Sequence, residues 1–163
     1  MKKEQAFILL GTNLGFREEN LSRSIEEIKK ISTSAIKTSF VYKSDPWGYE
    51  SEHYFLNQCI SFYTESQPLE LLVKLKNIEE KLGRLEKKTA NYEDRIIDID
   101  ILLYGSKTIA TKELIIPHPR LIERKFALQA LADLAPDIIH PVYMKSIAAL
   151  LDNCQDNSDL RRV

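Results

Sequence analysis

The segment IIDIDILLY, residues 96–104, gives the strongest β-strand prediction in the chain, and Gly105 ends it. Successive side chains of a strand point to opposite faces. Four apolar side chains therefore share the face that should meet the core: Ile97, Ile99, Ile101 and Leu103. Asp98 and Asp100 share the other face, with their Cα atoms about 6.6 Å apart.

This aspartate pair is unusual because aspartate is disfavoured inside strands. Two carboxylates this close repel each other, and one pKa rises unless a cation lies between them. Mg²⁺ is commonly held by one or two carboxylates together with substrate phosphates, and two ions can act on both sides of a phosphorus centre. We therefore expect Asp98 and Asp100 to bind a divalent metal. The alternative is a solvated strand face on which both aspartates pair with nearby lysines and arginines.

Hydrophobic periodicity predicts further strands and helices on either side of this strand. Strands are expected at 7–10, 39–43 and 54–63, one helix around 21–31 and another from Pro68 to Gly83. The order βαββαβ is that of a ferredoxin-like split βαβ fold of the α+β class, an antiparallel sheet with helices packed on one face. The extra C-terminal elements would be a hairpin arm at 107–110 and helices at 126–134 and 146–151.

The length and charge of the chain limit the number of domains and the kinds of partner to expect. A chain of 163 residues suits one domain covering residues 1–163, and 23 Lys and Arg against 24 Asp and Glu argue against a nucleic-acid partner. No apolar run approaches the roughly 20 residues of a membrane helix. Cys59 and Cys154 lack the spacing of a metal site and are interpreted as free thiols in a reducing compartment. We expect a cytoplasmic monomer without membrane or nucleic-acid partners.

Several cationic side chains precede and follow the aspartate strand. Arg84, Arg95 and Arg124 could clamp a polyphosphate if the fold brought them together, although each alone would be an ordinary surface residue. His118, between two prolines, could donate to a phosphate or leaving group, or could be a structural loop residue. The five glycines form neither a P-loop nor a dinucleotide-binding motif, so metals and side chains must hold any triphosphate. The charged stretch 84–95 is predicted to act as a lid.

A flat ligand is suggested by aromatic residues around a polar strand position. Trp47, Phe55 and Phe126 fall in a loop, at a strand start and at a helix start, where core packing is the usual explanation. Asn57 lies inside a strand pattern and carries a donor and an acceptor side by side. A heterocycle held between aromatic rings and recognised at its edge by an amide is therefore a possible ligand.

These motifs, taken together and in order, resemble one family. They are Gly11–Gly15, the loop 44–48 (SDPWG), Phe55-Leu56-Asn57, Gly83-Arg84, the segment 95–105 (RIIDIDILLYG), and Pro117-His118-Pro119-Arg120-Leu121 with Arg124 and Phe126. The sequence resembles 6-hydroxymethyl-7,8-dihydropterin pyrophosphokinase of folate biosynthesis from about Phe7 to about Pro141. The resemblance implies transfer of the terminal pyrophosphoryl unit of ATP to the hydroxymethyl oxygen of the pterin, with release of AMP.

The resemblance also implies roles for individual residues on the nucleotide side. Asp98 and Asp100 would hold two Mg²⁺ ions that bridge the triphosphate. The residues expected at the ATP phosphates are Arg95, His118 and Arg124, and Arg84 matches a position in the mobile catalytic loop. Arg84, Arg95 and His118 are the expected catalytic residues. The residues expected near the adenine or ribose are Glu79, Tyr92 and Ile101.

The resemblance assigns a second group of residues to the pterin. Phe55 and Phe126 match the two rings that sandwich it, and Asn57 matches the residue that recognises its edge. The residues of the loop that closes the pocket are Ser44, Pro46 and Trp47.

The chain departs from the family pattern before the aspartate strand. Many members have R-W-G-P-R there, whereas residues 91–95 are Asn-Tyr-Glu-Asp-Arg, so Tyr92 replaces the tryptophan and the Gly-Pro is lost. Glu86 stands where a second loop arginine is common, and Phe55 where tyrosine is often found. These changes bear on the contacts of the lid and leave the aspartates unchanged.

Three other functions remain compatible with parts of the pattern. A two-metal nucleotidyltransferase on the same fold would release pyrophosphate from ATP instead of AMP. A non-catalytic ligand-binding domain of this fold would tolerate loss of Asp98. A polynucleotide-binding role is disfavoured by the net charge of −1.

Overall fold

A computed structural model describes residues 2–83 and 92–163 of the chain. Its elements are β1 (Glu4–Thr12), α1 (Arg17–Lys29), β2 (Lys37–Thr38), β3 (Tyr42–Ser44), β4 (Phe55–Thr64), α2 (Pro68–Lys81), β5 (Asp98–Tyr104), β6 (Ile109–Ala110), β7 (Ile115–Ile116), α3 (Lys125–Leu134), α4 (Ile147–Asp152) and β8 (Leu160–Arg162). A 3₁₀ turn at Leu121–Glu123 precedes α3.

The main sheet is antiparallel and has the order β5-β1-β4-β3-β8, with β2 also pairing β4. The central strand is β1, because it pairs with β4 on one side and β5 on the other. The predicted α+β class is confirmed, and the strand order is compatible with the split βαβ arrangement. The predicted strand at 39–43 is instead two short strands, β2 and β3, separated by residues 39–41.

Helices cover both faces of the sheet rather than one. The first core packs α1 and α2 against β1, with Ile8 and Leu10 pointing toward the helices. The second core packs α3 and α4 against the opposite face, where Phe7 and Leu9 lie. The physical reason is visible in β1, whose residues 6–10 are all buried, so neither face can be left in water.

A bulge in β5 corrects one prediction about its faces. Ile97, Ile99 and Ile101 lie in the first core as expected, but Leu103 lies in the second. Phe7 pairs with Leu103 while Ile8 pairs with Ile101, so one extra residue, Leu102, is inserted in β5. A bulge of this kind shifts the alternation of the residues that follow it. Asp98 and Asp100 precede the bulge and keep their common face.

Local sequence explains the second helix. Pro68 occupies the first turn of α2, and Gln67 forms a reciprocal capping box with Glu70. Gly83 follows the helix with φ +99°, a conformation that glycine adopts without strain. Within the described residues, no helix has the length and apolar character needed to cross a membrane.

Candidate active site

A cavity of about 440 Å³ opens at the end of the sheet where β1, β4 and β5 meet the loops. The predicted site residues that line it are Ser44, Trp47, Phe55, Asn57, Glu79, Tyr92, Arg95, Asp98, Asp100, His118, Arg124 and Phe126. Pro46 belongs to the same loop as Trp47 but does not line the cavity. Arg84 and Glu86 lie outside the described residues. The structure therefore brings together both groups that the sequence associated with separate ligands.

Backbone pairing fixes the two aspartates beside the polar strand position of β4. Gly11 of β1 pairs with Asp98 on one side and with Asn57 on the other. Residues paired in this way point to the same face, so Asn57 and Asp98 lie two strand spacings apart, about 10 Å. A Cβ added at Gly11 would lie 3.7 Å from Asn57 Oδ1 and 3.8 Å from Phe55 Cδ1. Because Gly11 has no side chain, the surface of the sheet between Asn57 and Asp98 stays open to the cavity.

The aspartate carboxylates are partly exposed, and each faces a nitrogen-bearing side chain. Arg95 Nη1 lies 3.4 Å from Asp98 Oδ1, and His118 Nε2 lies 3.9 Å from Asp100 Oδ2. The side chains of Asp98 and Asp100 are 28% and 31% exposed, which leaves their oxygens accessible from the cavity. In the part of the chain that the structure describes, no group of three or more His, Cys, Asp and Glu side chains could hold a metal. Any ion bound here needs further oxygens from a ligand, as Mg²⁺ commonly does.

His118 is held as a neutral hydrogen-bond donor. Its backbone N–H donates to Leu102 O over 3.0 Å, which ties the 117–119 segment to the bulge of β5. The backbone N–H of Arg120 donates to His118 Nδ1 over 3.1 Å, so the ring proton resides on Nε2, on the side of Asp100. Burial, together with the positive charges of Arg124 and Arg120, lowers the pKa of His118 to about 4. The contact with Asp100 is therefore not an ion pair near neutral pH.

The polar end of the aromatic region is preorganised by hydrogen bonds. Asn57 is 2% exposed, and its Nδ2 donates to Ser44 Oγ over 2.8 Å and to Tyr42 O over 3.2 Å. Both amide protons are therefore used by β3, and the orientation of the side chain is fixed. Oδ1 is left on the Gly11 side, where it can accept a hydrogen bond from a ligand.

Arg124, a candidate phosphate ligand, packs against the aromatic side chains of the cavity. Its guanidinium carbon lies 4.6 Å from the ring centroid of Trp47, 5.6 Å from that of Tyr92 and 5.9 Å from that of Phe126. Nη2 donates to the Tyr92 hydroxyl over 3.2 Å. Its Nε is buried and has no hydrogen-bond partner among the described residues. A buried donor of this kind is costly unless a ligand satisfies it.

Glu79 and Ile101, expected near the adenine or ribose, are both buried in the structure. Glu79 is 6% exposed and accepts a 2.7 Å hydrogen bond from the backbone N–H of Ile99, between the two aspartates. Ile101 is buried in the first core and borders a second cavity of about 260 Å³, which shares Asp100 and His118 with the first.

Sequence reasoning missed several residues that line the main cavity. Lys76 of α2 is one, and the signal was available, because Leu72, Lys76 and Glu79 follow each other at helical spacing. Gly11 was noted only as part of a motif. Asn13 and Asp94 do not line the cavity, and sequence reasoning gave them no role beyond their motifs, because their mutual contact joins segments that are distant in sequence.

Comparison with known proteins identifies the family. The sequence pattern described as 7,8-dihydro-6-hydroxymethylpterin-pyrophosphokinase (HPPK) matches residues 7–136. The chain belongs to this pyrophosphokinase family. Membership confirms the resemblance and the predicted function, transfer of a pyrophosphoryl group from ATP to a hydroxymethyldihydropterin in folate biosynthesis.

Curated relatives support the same family. The chain is 39% identical over 141 residues to the 2-amino-4-hydroxy-6-hydroxymethyldihydropteridine pyrophosphokinase of Aquifex aeolicus, which covers 86% of each protein. It is 37% identical over 134 residues to the enzyme of the same name in Bacillus subtilis, covering 82% of this chain and 79% of that protein. It is 38% identical to the folic acid synthesis protein fol1 of Pneumocystis carinii over 94% of this chain, but only 20% of that protein.

Solved structures of the pyrophosphokinase family share the fold. A crystal structure of HPPK-DHPS in complex with substrates has a TM-score of 0.75 and 16% identity, covering 94% of this chain and 43% of that one. Wild-type HPPK-DHPS of Plasmodium falciparum with pteroate also has a TM-score of 0.75, at 19% identity, and the match covers 93% of this chain and 44% of that one. The chain therefore spans less than half of these two solved chains.

Proposed function

We propose that this chain is a Mg²⁺-dependent pyrophosphokinase that transfers the terminal pyrophosphoryl group of ATP to the hydroxymethyl oxygen of 6-hydroxymethyl-7,8-dihydropterin and releases AMP. One observation carries the proposal. The aspartate of β5 and the asparagine of β4 flank Gly11 in one row of the sheet, about 10 Å apart. A metal-bound triphosphate and a heterocycle held at these two points would meet above the glycine.

The residues present fit a hard divalent cation. Asp98 and Asp100 supply carboxylate oxygens from one strand face, and both remain partly exposed to the cavity. We propose that they hold the two Mg²⁺ ions that accompany ATP, the remaining ligands being phosphate oxygens and water. Bound Mg²⁺ would neutralise charge on the triphosphate and so make phosphorus more open to attack.

Three described side chains are suited to the phosphates. Arg95 lies beside Asp98, and neutral His118 offers Nε2–H on the side of Asp100. Arg124 has a buried Nε that finds no hydrogen-bond partner in the part of the chain that the structure describes. Each donates hydrogen bonds, and the two arginines add positive charge, which stabilises a negatively charged transition state. The resemblance adds Arg84 to this group.

The pterin would occupy the aromatic side of the cavity. Asn57 Oδ1 would accept a hydrogen bond from the heterocycle edge, and Phe55 and Phe126 would contact the ring faces. The loop residues expected to close over it are Ser44, Pro46 and Trp47. The residues proposed for the adenosine end of ATP are Glu79, Tyr92 and Ile101, with Glu79 acting mainly through the backbone of β5.

The reaction needs alignment more than a strong base. The hydroxymethyl oxygen forms a bond to the β-phosphorus, the bond from that phosphorus to the oxygen bridging to the α-phosphate breaks, and AMP leaves with the bridging oxygen. The hydroxyl proton passes to solvent. Phosphoryl transfer is accelerated chiefly by positioning and charge stabilisation. Fixed hydrogen-bond donors and a carboxylate pair that would hold Mg²⁺ support this proposal.

The nucleotide product tests the proposal directly. Incubation with ATP, Mg²⁺ and the reduced pterin should yield one AMP per pterin consumed, separated by ion-exchange chromatography. A nucleotidyltransferase would instead release inorganic pyrophosphate and leave AMP attached to the acceptor, which would contradict the proposal.

Matched variants connect the product to the aspartates. Asp98→Asn and Asp100→Asn should each lower AMP formation by about 100-fold or more with the circular dichroism spectrum unchanged. Asp152→Asn, at an exposed position of α4, should keep wild-type turnover. Wild-type turnover by both site variants would exclude the metal assignment.

Localisation and assembly remain part of the proposal. Cys59 and Cys154 are both free, which supports a reducing compartment such as the cytoplasm. We propose a monomer of 18.8 kDa, and light scattering of the purified chain would measure its mass in solution.

A further inference from the structure

Asp94 lies at the centre of a hydrogen-bond network that the proposed chemistry does not use. Its Oδ1 accepts from Asn13 Nδ2 over 2.8 Å and from the Tyr49 hydroxyl over 2.9 Å. Its Oδ2 accepts from the Ser51 hydroxyl over 2.9 Å. These donors come from the end of β1 and from the loop between β3 and β4, so a single carboxylate connects three chain segments.

One side of the network fixes Arg95. Asn13 is fully buried, and its Oδ1 accepts a 2.6 Å hydrogen bond from the backbone N–H of Arg95. The backbone N–H of Asn13 donates to Arg95 O over 3.0 Å. The backbone N–H and C=O of Arg95 are therefore both bonded to Asn13, directly after β1, and the Arg95 guanidinium lies 3.4 Å from Asp98.

The other side of the network fixes the loop that carries Trp47. Tyr49 and Ser51 follow Trp47 by two and four residues, and Asn13 Nδ2 also donates to the backbone carbonyl of His53 over 3.1 Å. Trp47 packs against the edge of Tyr92 with ring centroids 5.9 Å apart. The pterin-side loop, residues 45–54, and the phosphate-side segment, residues 92–95, therefore contact each other at two places.

The protonation states of Asp94 and Tyr49 allow their hydrogen bond to persist near neutral pH. Burial raises the pKa of Asp94, but the hydrogen bonds from Ser51, Asn13 and Tyr49 outweigh it and leave the pKa below the usual value. Burial and the hydrogen bond to Asp94 raise the pKa of Tyr49. Asp94 is thus an acceptor and Tyr49 a donor throughout the physiological range.

We propose that Asp94 is a positioning residue that couples the two ligands: it joins the pterin-side loop to the phosphate-side segment, so that binding of the nucleotide and binding of the pterin favour each other. This inference rests on the proposed function, because it assigns the two segments to the two ligands. Ordering either segment through its ligand restrains the other through the carboxylate, and the linkage is reciprocal.

The departure from the family pattern explains why this chain can make the connection. The pattern that the sequence resembles has proline where Asp94 stands, and proline has no side-chain acceptor. The carboxylate takes hydrogen bonds from two hydroxyls and an amide, whereas proline would offer none of these contacts. The network is therefore a property of this sequence, carried by Asp94 and its three donors.

Isothermal titration calorimetry measures the coupling. The dissociation constant of 6-hydroxymethylpterin is determined with and without saturating α,β-methylene-ATP and Mg²⁺, and the ratio of the two constants is the coupling factor. We expect a factor of at least about 5 for the wild-type chain. In Asp94→Ala it should fall at least threefold, roughly the loss of most of that coupling. A purely structural role would weaken each affinity and leave the ratio unchanged.

Two further variants keep the test decisive. Tyr49→Phe with Ser51→Ala removes two donors and leaves Asp94 in place, so it tests the network if Asp94→Ala does not fold. Asp133→Asn is the matched control, because Asp133 accepts from the Tyr42 hydroxyl over 2.7 and 2.9 Å outside the cavity, and it should keep the wild-type coupling factor.

The outcomes separate this inference from the proposed function. A wild-type coupling factor near one, a smaller fall in the network variants, or an equal fall in Asp133→Asn would overturn the coupling role of Asp94. AMP formation by the wild-type chain is measured in parallel. Its absence would refute the proposed function, whereas AMP formation with unchanged coupling in the variants would refute only the role of Asp94.

Discussion

Burial sets the charge of His118 at the wall of the cavity. Its Nδ1 accepts from the backbone of Arg120, and Arg124 adds positive charge nearby, so protonation is unfavourable in the folded chain. A neutral imidazole can still donate one hydrogen bond through Nε2. The residue can therefore contact a phosphate oxygen as a fixed donor without changing charge near neutral pH.

The lowered pKa of His118 predicts how stability varies with pH in the metal-free, ligand-free chain. The folded-state pKa of about 4 lies below the 6.5 of an unperturbed histidine, so between these values the unfolded chain binds a proton that the folded chain does not. The contribution of His118 to stability is present above pH 6.5 and is lost as the pH falls toward 4. Urea denaturation should show that the free energy of unfolding falls more steeply between pH 6.5 and 4 for the wild type than for His118→Gln. An NMR titration midpoint near 6.5 would contradict the assignment.

Glu79 supports the aspartate strand from the neighbouring helix. Its buried side chain accepts the N–H of Ile99 over 2.7 Å, so Glu79→Gln should disturb this hydrogen bond and lower the free energy of unfolding by about 1–3 kcal/mol. Glu80→Gln, the exposed neighbour on α2, should change it by less than about 0.5 kcal/mol. Urea denaturation of both variants measures the difference. Equal effects would show that the hydrogen bond to Ile99 contributes nothing specific.

At the scale of elements, β3 connects the edge of the sheet to the pterin-side loop. One of its sides pairs with β4 and places Ser44 beside Asn57. The other side pairs with β8, whose Leu160 lies opposite Ser44. The C-terminal strand therefore covers an edge that would otherwise be free to fray next to the site.

Removal of β8 tests this positioning effect. Deletion of residues 159–163 should raise the KM for the pterin by about tenfold, since loss of about 1.4 kcal/mol of ordering corresponds to that factor. The KM for ATP should change by less than about twofold, because the aspartates are mounted on β5 at the opposite edge of the sheet. Arg161→Ala, which keeps the backbone pairing, is the control. Equal increases in both KM values would contradict a specific effect on the loop.

At the scale of the whole molecule, the spacing of apolar and polar residues along the sequence predicted much of the fold. The apolar run of β1, the capped helix from Pro68 and the Ile-Asp-Ile-Asp pattern of β5 each carry a strong local signal, and all three are observed. The paired aspartates broke the local preference of a strand, which is why they could be singled out without a structure.

Other features depend on contacts that no local pattern encodes. The bulge at Leu102 arises from the pairing of β5 with β1, and it moved Leu103 to the second core. The short β8 has little propensity of its own and forms because β3 offers an edge. The contacts of Arg124 with the Trp47 and Tyr92 rings join segments that are distant in sequence. The hydrogen bonds of Asp94 do the same. Such contacts require the folded chain.

A crystal grown with Mn²⁺, α,β-methylene-ATP and 6-hydroxymethylpterin tests the central proposal most directly, through anomalous scattering from the metal. We predict two anomalous peaks within about 2.5 Å of carboxylate oxygens of Asp98 and Asp100, with the heterocycle edge at Asn57 and its hydroxymethyl group facing the β-phosphorus. Anomalous density elsewhere in the chain, or none beside these two carboxylates while the nucleotide is bound, would contradict it.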